Sequence, residues 1–283
     1  MQELLNYLFV GLGVGAVYSL VALPMSLIAA TTGIVDIGVG IYATVGGLTA
    51  ATLGGATGFL LGAGAGLGIA MATGALYILA SRRGRGGTDL LMIVGLVLLL
   101  MATAAFGQVF GLNPRVGDPI SGAYRILDIS LPLSVLVALL ATAGLLGVSV
   151  ALLNKTAIGR NMRSVASNPT GAALVGINAT RYQFIAFASG GLVASIAGML
   201  IITRAGISYD TALNLALAGF GAYIILGIKG PLRAVLGGLV IGTLQTFSIA
   251  YAPEVIASSI PLLAILVILA SGRFESSVVG ARA

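Results

Sequence analysis

From Leu4 to Val35 the chain carries no charged side chain, and seven further stretches repeat the pattern: 37–81, 90–114, 129–154, 182–203, 211–228, 234–253 and 255–272. A helix needs about 20 residues to cross a bilayer. Charges at mid-bilayer are costly, so the charged residues mark the boundaries of the spans. The stretch 37–81 is too long for one crossing and predicts two, broken near Gly54-Gly55. The expected fold is all-α, a polytopic transmembrane helix bundle of about nine spans, within roughly 8–10.

Composition agrees. Only 8% of the residues are charged and 58% are hydrophobic, where soluble domains carry roughly 25% charged residues. No linker or charge run divides the chain, so residues 1–283 read as a single transmembrane domain. The start, Met1-Gln2-Glu3, lacks a basic region, and no cleavable signal peptide is expected. The 42 glycines suit close helix approach and broken helices around a pathway.

Basic residues set the expected direction. Nine crossings place the loops 31–36, 81–89, 155–181 and 229–233 on one side with the tail 272–283, and these hold 11 of the 14 basic residues. That side is predicted to be cytoplasmic, with the N-terminus outside and the C-terminus inside. The net charge of +6 is read as basic cytoplasmic loops and not as a nucleic-acid surface. The partner it implies is membrane lipid.

Several chemistries are excluded. The chain has no cysteine and no histidine, so it offers no disulfide, no thiolate or imidazole metal site, and no Ser-His or Cys-His nucleophile. Neither lysine follows a glycine: Asn154 precedes Lys155 and Ile228 precedes Lys229, so there is no Walker A motif. No cofactor is expected on this chain, and any ATP must be hydrolysed elsewhere. Gly62, Gly64, Gly66 and Gly68 are read as helix-packing glycines.

The inner connection 155–181 predicts a short surface helix. Ser167 or Asn168 supplies a cap, Pro169 takes the first helical position, and Gly176 ends the helix with Asn178 just beyond. It is expected to present small residues, among them Ala172 and Ala173, either for docking into a groove on another protein or as a plain solvated loop. The outer connection 111–130, with Asn113-Pro114, Asp118-Pro119 and Ser121-Gly122, reads as turns. A weak internal repeat relates Gly33–Tyr77 to Gly206–Tyr251, each opening with Gly-Ile and followed by a carboxylate, Asp36 or Asp210.

Asp36, followed by Gly38, Gly40 and Tyr42, is the most informative acid. It either lines a pathway at a helix break or caps a helix at its boundary. Asn214, Gln245 and Gln108 are uncharged polar residues inside apolar spans, and each faces a pathway or hydrogen-bonds a neighbouring helix. Tyr42 and Tyr223 line a vestibule or pack.

The motifs resemble a known family. Thr156-Ala-Ile-Gly-Arg160, Asn168-Pro169, Ala172-Ala173 and Gly176-Ile-Asn178 are similar to the inner loop of one family of ABC-importer permeases. Its members include branched-chain amino acid permeases, with relatives for simple sugars, nucleosides or urea. Gly190–Gly198, Gly227–Gly238, Gly11–Leu20 and Gly33–Gly40 extend the likeness over nearly the whole chain. The resemblance implies two permease subunits, alike or related, two cytosolic ATPases carrying the ATP and Mg, and an extracytoplasmic binding protein. It also implies the plasma (inner) membrane of a bacterium or archaeon, and a coupling loop containing Gly159, Arg160, Asn168, Pro169, Ala172, Ala173, Gly176, Ile177 and Asn178. The expected solute is a small polar one, branched-chain or other amino acids first. Yet Val35-Asp-Ile-Gly-Val-Gly40 is closer to the sugar and nucleoside branches. Outside the family, an ion-coupled secondary transporter is the main rival. An intramembrane enzyme lacks the paired catalytic residues it would need.

Overall fold

The computed structural model describes residues 2–82, 88–117, 122–126, 129–203, 206–226, 230–253 and 259–270. The expected loop residues Arg83, Arg85, Asp118, Pro119, Ser121, Asp128, Arg204, Lys229, Glu254, Arg273 and Arg282 lie outside them, as do Gly227 and Ile228. Among the described residues the chain is a helical bundle with one small antiparallel strand pair. Helix α1 is Gln2–Thr32, α2 Val39–Leu53, α3 Gly55–Arg82 and α4 Thr88–Phe110. Strands β1 (Ala123–Ile126) and β2 (Ile129–Pro132) follow, then α5 (Leu133–Lys155), α6 (Ala157–Ser167) and α7 (Pro169–Leu174). The chain continues with α8 (Ala179–Ile202), α9 (Thr211–Ile225), α10 (Pro231–Tyr251) and α11 (Ile260–Ala270).

Six of the described helices are long and apolar enough to cross a membrane: α1, α3, α4, α5, α8 and α10. Helices α2 and α9 are apolar but have 15 residues each. Such a helix rises only about 22 Å, short of the roughly 30 Å hydrocarbon core. The expected break in 37–81 falls where it was placed: α2 ends at Leu53 and α3 begins at Gly55, with Gly54 and Gly55 both at positive φ, 66° and 56°. That left-handed backbone is cheap only for glycine.

The two segments read as a weak repeat develop alike. Gly33 (φ 73°) leads to the 15-residue α2 and then to the long α3, while Gly206 (φ 76°) leads to the 15-residue α9 and then to the long α10.

Small residues let the helices approach. Along α1 and α10, a methyl on Gly11 would lie 2.9 Å from Thr243 Cα and one on Gly15 2.7 Å from Leu239 Cα. The pairing of rising with falling numbers makes these helices antiparallel. Ser19 Oγ fastens the crossing by donating to the Val235 carbonyl at 2.6 Å. Helices α2 and α3 are antiparallel by the same test, with Gly58 against Ala50 and Gly66 against Tyr42. So are α3 and α8, with Gly74 against Phe187 and Gly191 against Ala70. This is the tight packing that association inside a bilayer requires, since lipid is as apolar as leucine. Of the four alternating glycines, Gly62 and Gly66 pack against α2 and α8, but Gly64 and Gly68 have open space beside them. A helix turns about 100° per residue, so every second position cannot share one face.

The outer connection departs from plain turns. β1 and β2 pair antiparallel, Ala123 against Pro132 through Ile126 against Ile129. Arg115 also pairs with Ile207 ahead of α9 (N–H to carbonyl 2.8 Å each way).

Candidate solute pathway and coupling segment

The expected pathway residues separate into two centres. The first surrounds Asp36, in the link between α1 and α2. One carboxylate oxygen accepts the Gly38 N–H at 2.8 Å and the other accepts the Tyr42 hydroxyl at 2.7 Å. Tyr42 is fully buried, and its hydroxyl also hydrogen-bonds Thr73 Oγ1 of α3. Asp36 is half-buried and lines a cavity of about 70 Å³ with Thr32, Thr73, Tyr77, Gly95 and Phe187. Asp36 thus organises the turn into α2 and faces a small void. The N-cap position itself is Gly38, without a side-chain cap. Gly40 lies where α2 meets α9, and a side chain there would collide with the Ala212 carbonyl.

The second centre is larger. Asn214 of α9 and Gln245 of α10 line one cavity of about 300 Å³ with Tyr18 of α1. Tyr18 donates its hydroxyl to Gln245 Oε1 at 2.5 Å. The rest of the wall is Leu217, Ala218, Ile241, Pro261, Leu262 and Ile265. Sequence reasoning did not select Tyr18. An aromatic in an apolar run gives no local sign of where its hydroxyl points. Gln108 lines neither cavity and is exposed on α4, while Tyr223 is packed in the core.

The inner loop is more structured than one short helix. α6 turns Met162 and Val165 inward, and Met162 joins Leu27 of α1, Leu153 of α5 and Ala186 of α8 in a small core. Thr156 caps α6 by accepting the Gly159 N–H at 3.2 Å. A side chain on Gly159 would strike the Leu152 and Leu153 carbonyls. Asn168, not Ser167, caps α7: its Oδ1 accepts the Gly171 N–H at 2.8 Å. Pro169 follows at the first helical position. Gly176 ends the turn at φ 81°, Ile177 N–H bonds the Ala172 carbonyl at 2.9 Å, and Asn178 caps α8.

The expectation that α7 presents small residues needs correction at Ala172. Ala172 is 4% exposed and faces the protein, while Leu174 and Val175 stand out at 85% and 75%. The short helix starts at Pro169 and turns Ala172 inward. The branched side chains are left for the tip. Arg160 and Ala173 are also exposed.

Known proteins resemble this chain in sequence. It is 34% identical over 96 residues to a probable ABC transporter permease protein of Escherichia coli (strain K12), covering 32% of this chain and 29% of that one. It is 31% identical over 150 residues to the fructose import permease protein of Rhizobium meliloti, covering 50% and 38%. It is 26% identical over 254 residues to the ribose import permease protein of Escherichia coli (strain K12), covering 85% and 77%. The matched segment is thus under two fifths of the length of the first two relatives and about three quarters of the third. No solved structure gives a significant match. The family described as branched-chain amino acid transport system permease component matches residues 7–270, and the chain belongs to that family of multi-pass membrane permeases.

Proposed function

We propose that this chain is the solute-conducting subunit of an ATP-driven importer for a small sugar-like solute. The observation that carries this reading is the similarity to the ribose import permease across 85% of the chain. Sugar import is thereby favoured over amino acid import, the reading put first from sequence. The Val35–Gly40 segment leans the same way. ATP and Mg reside on two cytosolic ATPase subunits. A second permease, a copy or a related chain, completes the pathway, and an extracytoplasmic binding protein delivers the solute in a bacterial or archaeal inner membrane.

In this reading the nine helices α1–α5 and α8–α11 each pass from one side to the other, with α2 and α9 as shortened crossings. The antiparallel packing of α1 with α10, and of α3 with α2 and α8, supports the alternation. The N-terminus lies outside, and α6 and α7 lie in the cytoplasm beside the basic residues Lys155, Arg160 and Arg163. α7 is the coupling helix. Gly159, Asn168, Ala172, Gly176, Ile177 and Asn178 hold its shape, while Arg160, Pro169, Ala173 and the protruding Leu174 and Val175 meet the ATPase groove. Closure of the ATPase pair on ATP moves α7, and α6 passes that movement to α1, α5 and α8 through the Met162 core.

The test is reconstitution of the chain with its ATPase and binding-protein partners in liposomes, followed by uptake of labelled D-ribose, D-fructose and L-leucine. ATP-dependent sugar uptake supports the reading. Leucine uptake alone restores the amino acid alternative. Uptake by the chain alone, driven by an ion gradient without ATP, replaces the importer with a secondary carrier.

A further inference from the structure

We infer that the cavity between α1, α9, α10 and α11 is a solute subsite. In it Tyr18, Asn214 and Gln245 recognise the hydroxyls of an uncharged, polyhydroxylated molecule. The inference rests on the importer reading above and adds to it the residues that touch the solute and the charge class they accept.

Three observations converge. The first is polarity in the wrong place for packing. Asn214 is exposed on α9, and no hydrogen bond to its side chain is present among the described residues. A carboxamide facing hydrocarbon without a partner is costly, so its surroundings must include polar groups or water.

The second is convergence. Three polar side chains from three helices line one space, and Tyr18 spends its hydroxyl hydrogen on Gln245 Oε1. That bond fixes the rotamer of Gln245 and leaves its amide N–H groups directed elsewhere. Together the three offer carboxamide donors, a carboxamide acceptor and the phenolic oxygen as an acceptor. A sugar hydroxyl both donates and accepts, and it can use each of these.

The third is what the lining lacks. The lining is completed by Leu217, Ala218, Ile241, Pro261, Leu262 and Ile265, and no charged side chain belongs to it. Apolar walls suit the C–H faces of a sugar ring. A zwitterionic amino acid would bring an ammonium and a carboxylate into this space with no countercharge, and unpaired charges in an apolar site are strongly disfavoured. The volume of about 300 Å³ falls at the lower end of ordinary ligand pockets, roughly 300–1,000 Å³. It fits a monosaccharide-sized molecule. The Asp36 cavity, at about 70 Å³ and with its carboxylate already engaged twice, is too small for that task.

This chain has no cysteine, so an introduced thiol is the only one that it contributes to the importer. The experiment uses the full importer in liposomes with D-ribose, D-fructose and L-leucine as probes. Asn214→Cys is treated with a charged, membrane-impermeant methanethiosulfonate, with Leu100→Cys on the exposed face of α4 as the comparison. The expected result is fast labelling at Cys in place of Asn214, slowed by the transported sugar and not by leucine, and loss of uptake after labelling. Gln245→Leu and the conservative Tyr18→Phe should raise KM for sugar uptake, Gln245→Leu by about tenfold or more, as expected when a site loses a group that bonds a substrate hydroxyl. If the wild type carries sugar but the thiol is unreactive, or its labelling leaves uptake intact, or both KM values are unchanged, the subsite is refuted while the importer stands. Asn214 would then be a contact between permease copies. If the wild type carries only leucine, the neutral-solute subsite and the sugar reading fall together.

Discussion

Tyr42 donates its hydroxyl to Asp36 Oδ2 at 2.7 Å, six residues back across the start of α2, and so ties the carboxylate to a fully buried ring. The same hydroxyl reaches Thr73, which joins the α1–α2 link to α3. Hydrogen bonds to charged groups contribute about 1.5–3 kcal/mol. Tyr42→Phe keeps the ring and removes the hydroxyl that bonds both Asp36 and Thr73, so it should destabilise the purified chain by about that amount or more. Asp36→Asn should cost less, because its carbonyl oxygen can still accept one of the two bonds. Thermal unfolding of both variants in detergent checks the order. Equal stability of Tyr42→Phe and wild type would show that the bond does not hold the link.

Helix α8 passes α2 closely enough that a methyl on Gly198 would overlap the Ala43 carbonyl, and this is backbone that cannot swing aside. Gly198→Ala should therefore force the helices apart, at a cost of about 1–3 kcal/mol or more. Gly64, on the open face of α3, has nothing within 4 Å. There Gly64→Ala should be neutral or stabilising by up to about 1 kcal/mol, because alanine is the better helix former. A melting comparison of the pair separates tight packing from glycine content as the source of the high glycine count.

At the tip of α7, Leu174 and Val175 are the exposed apolar pair, and Ala172 is the buried one. Leu174→Ser with Val175→Ser should leave the chain folded and weaken capture of the proposed ATPase subunits at least about tenfold, since well-packed apolar anchors carry most of an interface. Asn168→Ala should act through shape instead. Losing the N-cap costs about 1 kcal/mol locally, which should lower ATP-driven uptake more than it lowers ATPase capture. Pull-down and uptake measured on the same preparations distinguish the two. Undiminished capture by the double serine variant would move the coupling contact elsewhere.

How much of this was readable in advance follows from the range of each signal. The Gly54-Gly55 break and the Asn168-Pro169 start with its Gly176 stop are local, and local residues display them. α6 is also legible: Met162 and Val165, three apart among polar neighbours, give amphipathic spacing. The candidate site was legible only as separate residues. Asn214 and Gln245 each stood out as polar among apolar positions. That they share a cavity with Tyr18, while Asp36 joins Tyr42 and Thr73 in another, depends on how α1, α9 and α10 cross. The strand pair of β1 and β2 was hidden for the opposite reason. Its strands of four residues each are too short for periodicity to rise above the turn signals around them.

One substitution should separate two buried hydroxyls that look alike in sequence. Thr142 and Thr44 both lie in apolar helices, 3% and 0% exposed. Thr142 Oγ1 reaches the Ala138 carbonyl at 2.8 Å and the Ala16 carbonyl at 3.0 Å, so it links α5 to α1. Thr44 Oγ1 has no hydrogen-bond partner among the described residues. A buried hydroxyl left unsatisfied costs about 1–3 kcal/mol, whereas one that is satisfied contributes about 0.5–1.5. The same change from hydroxyl to methyl should therefore have opposite signs. Thr142→Val should lower stability by about 1 kcal/mol, and Thr44→Val should leave it unchanged or raise it. Both are near in shape, so cavity effects stay small. Parallel melting curves decide the matter. A Thr44→Val variant that melts as far below wild type as Thr142→Val would mean that the Thr44 hydroxyl has a partner in the assembled membrane complex.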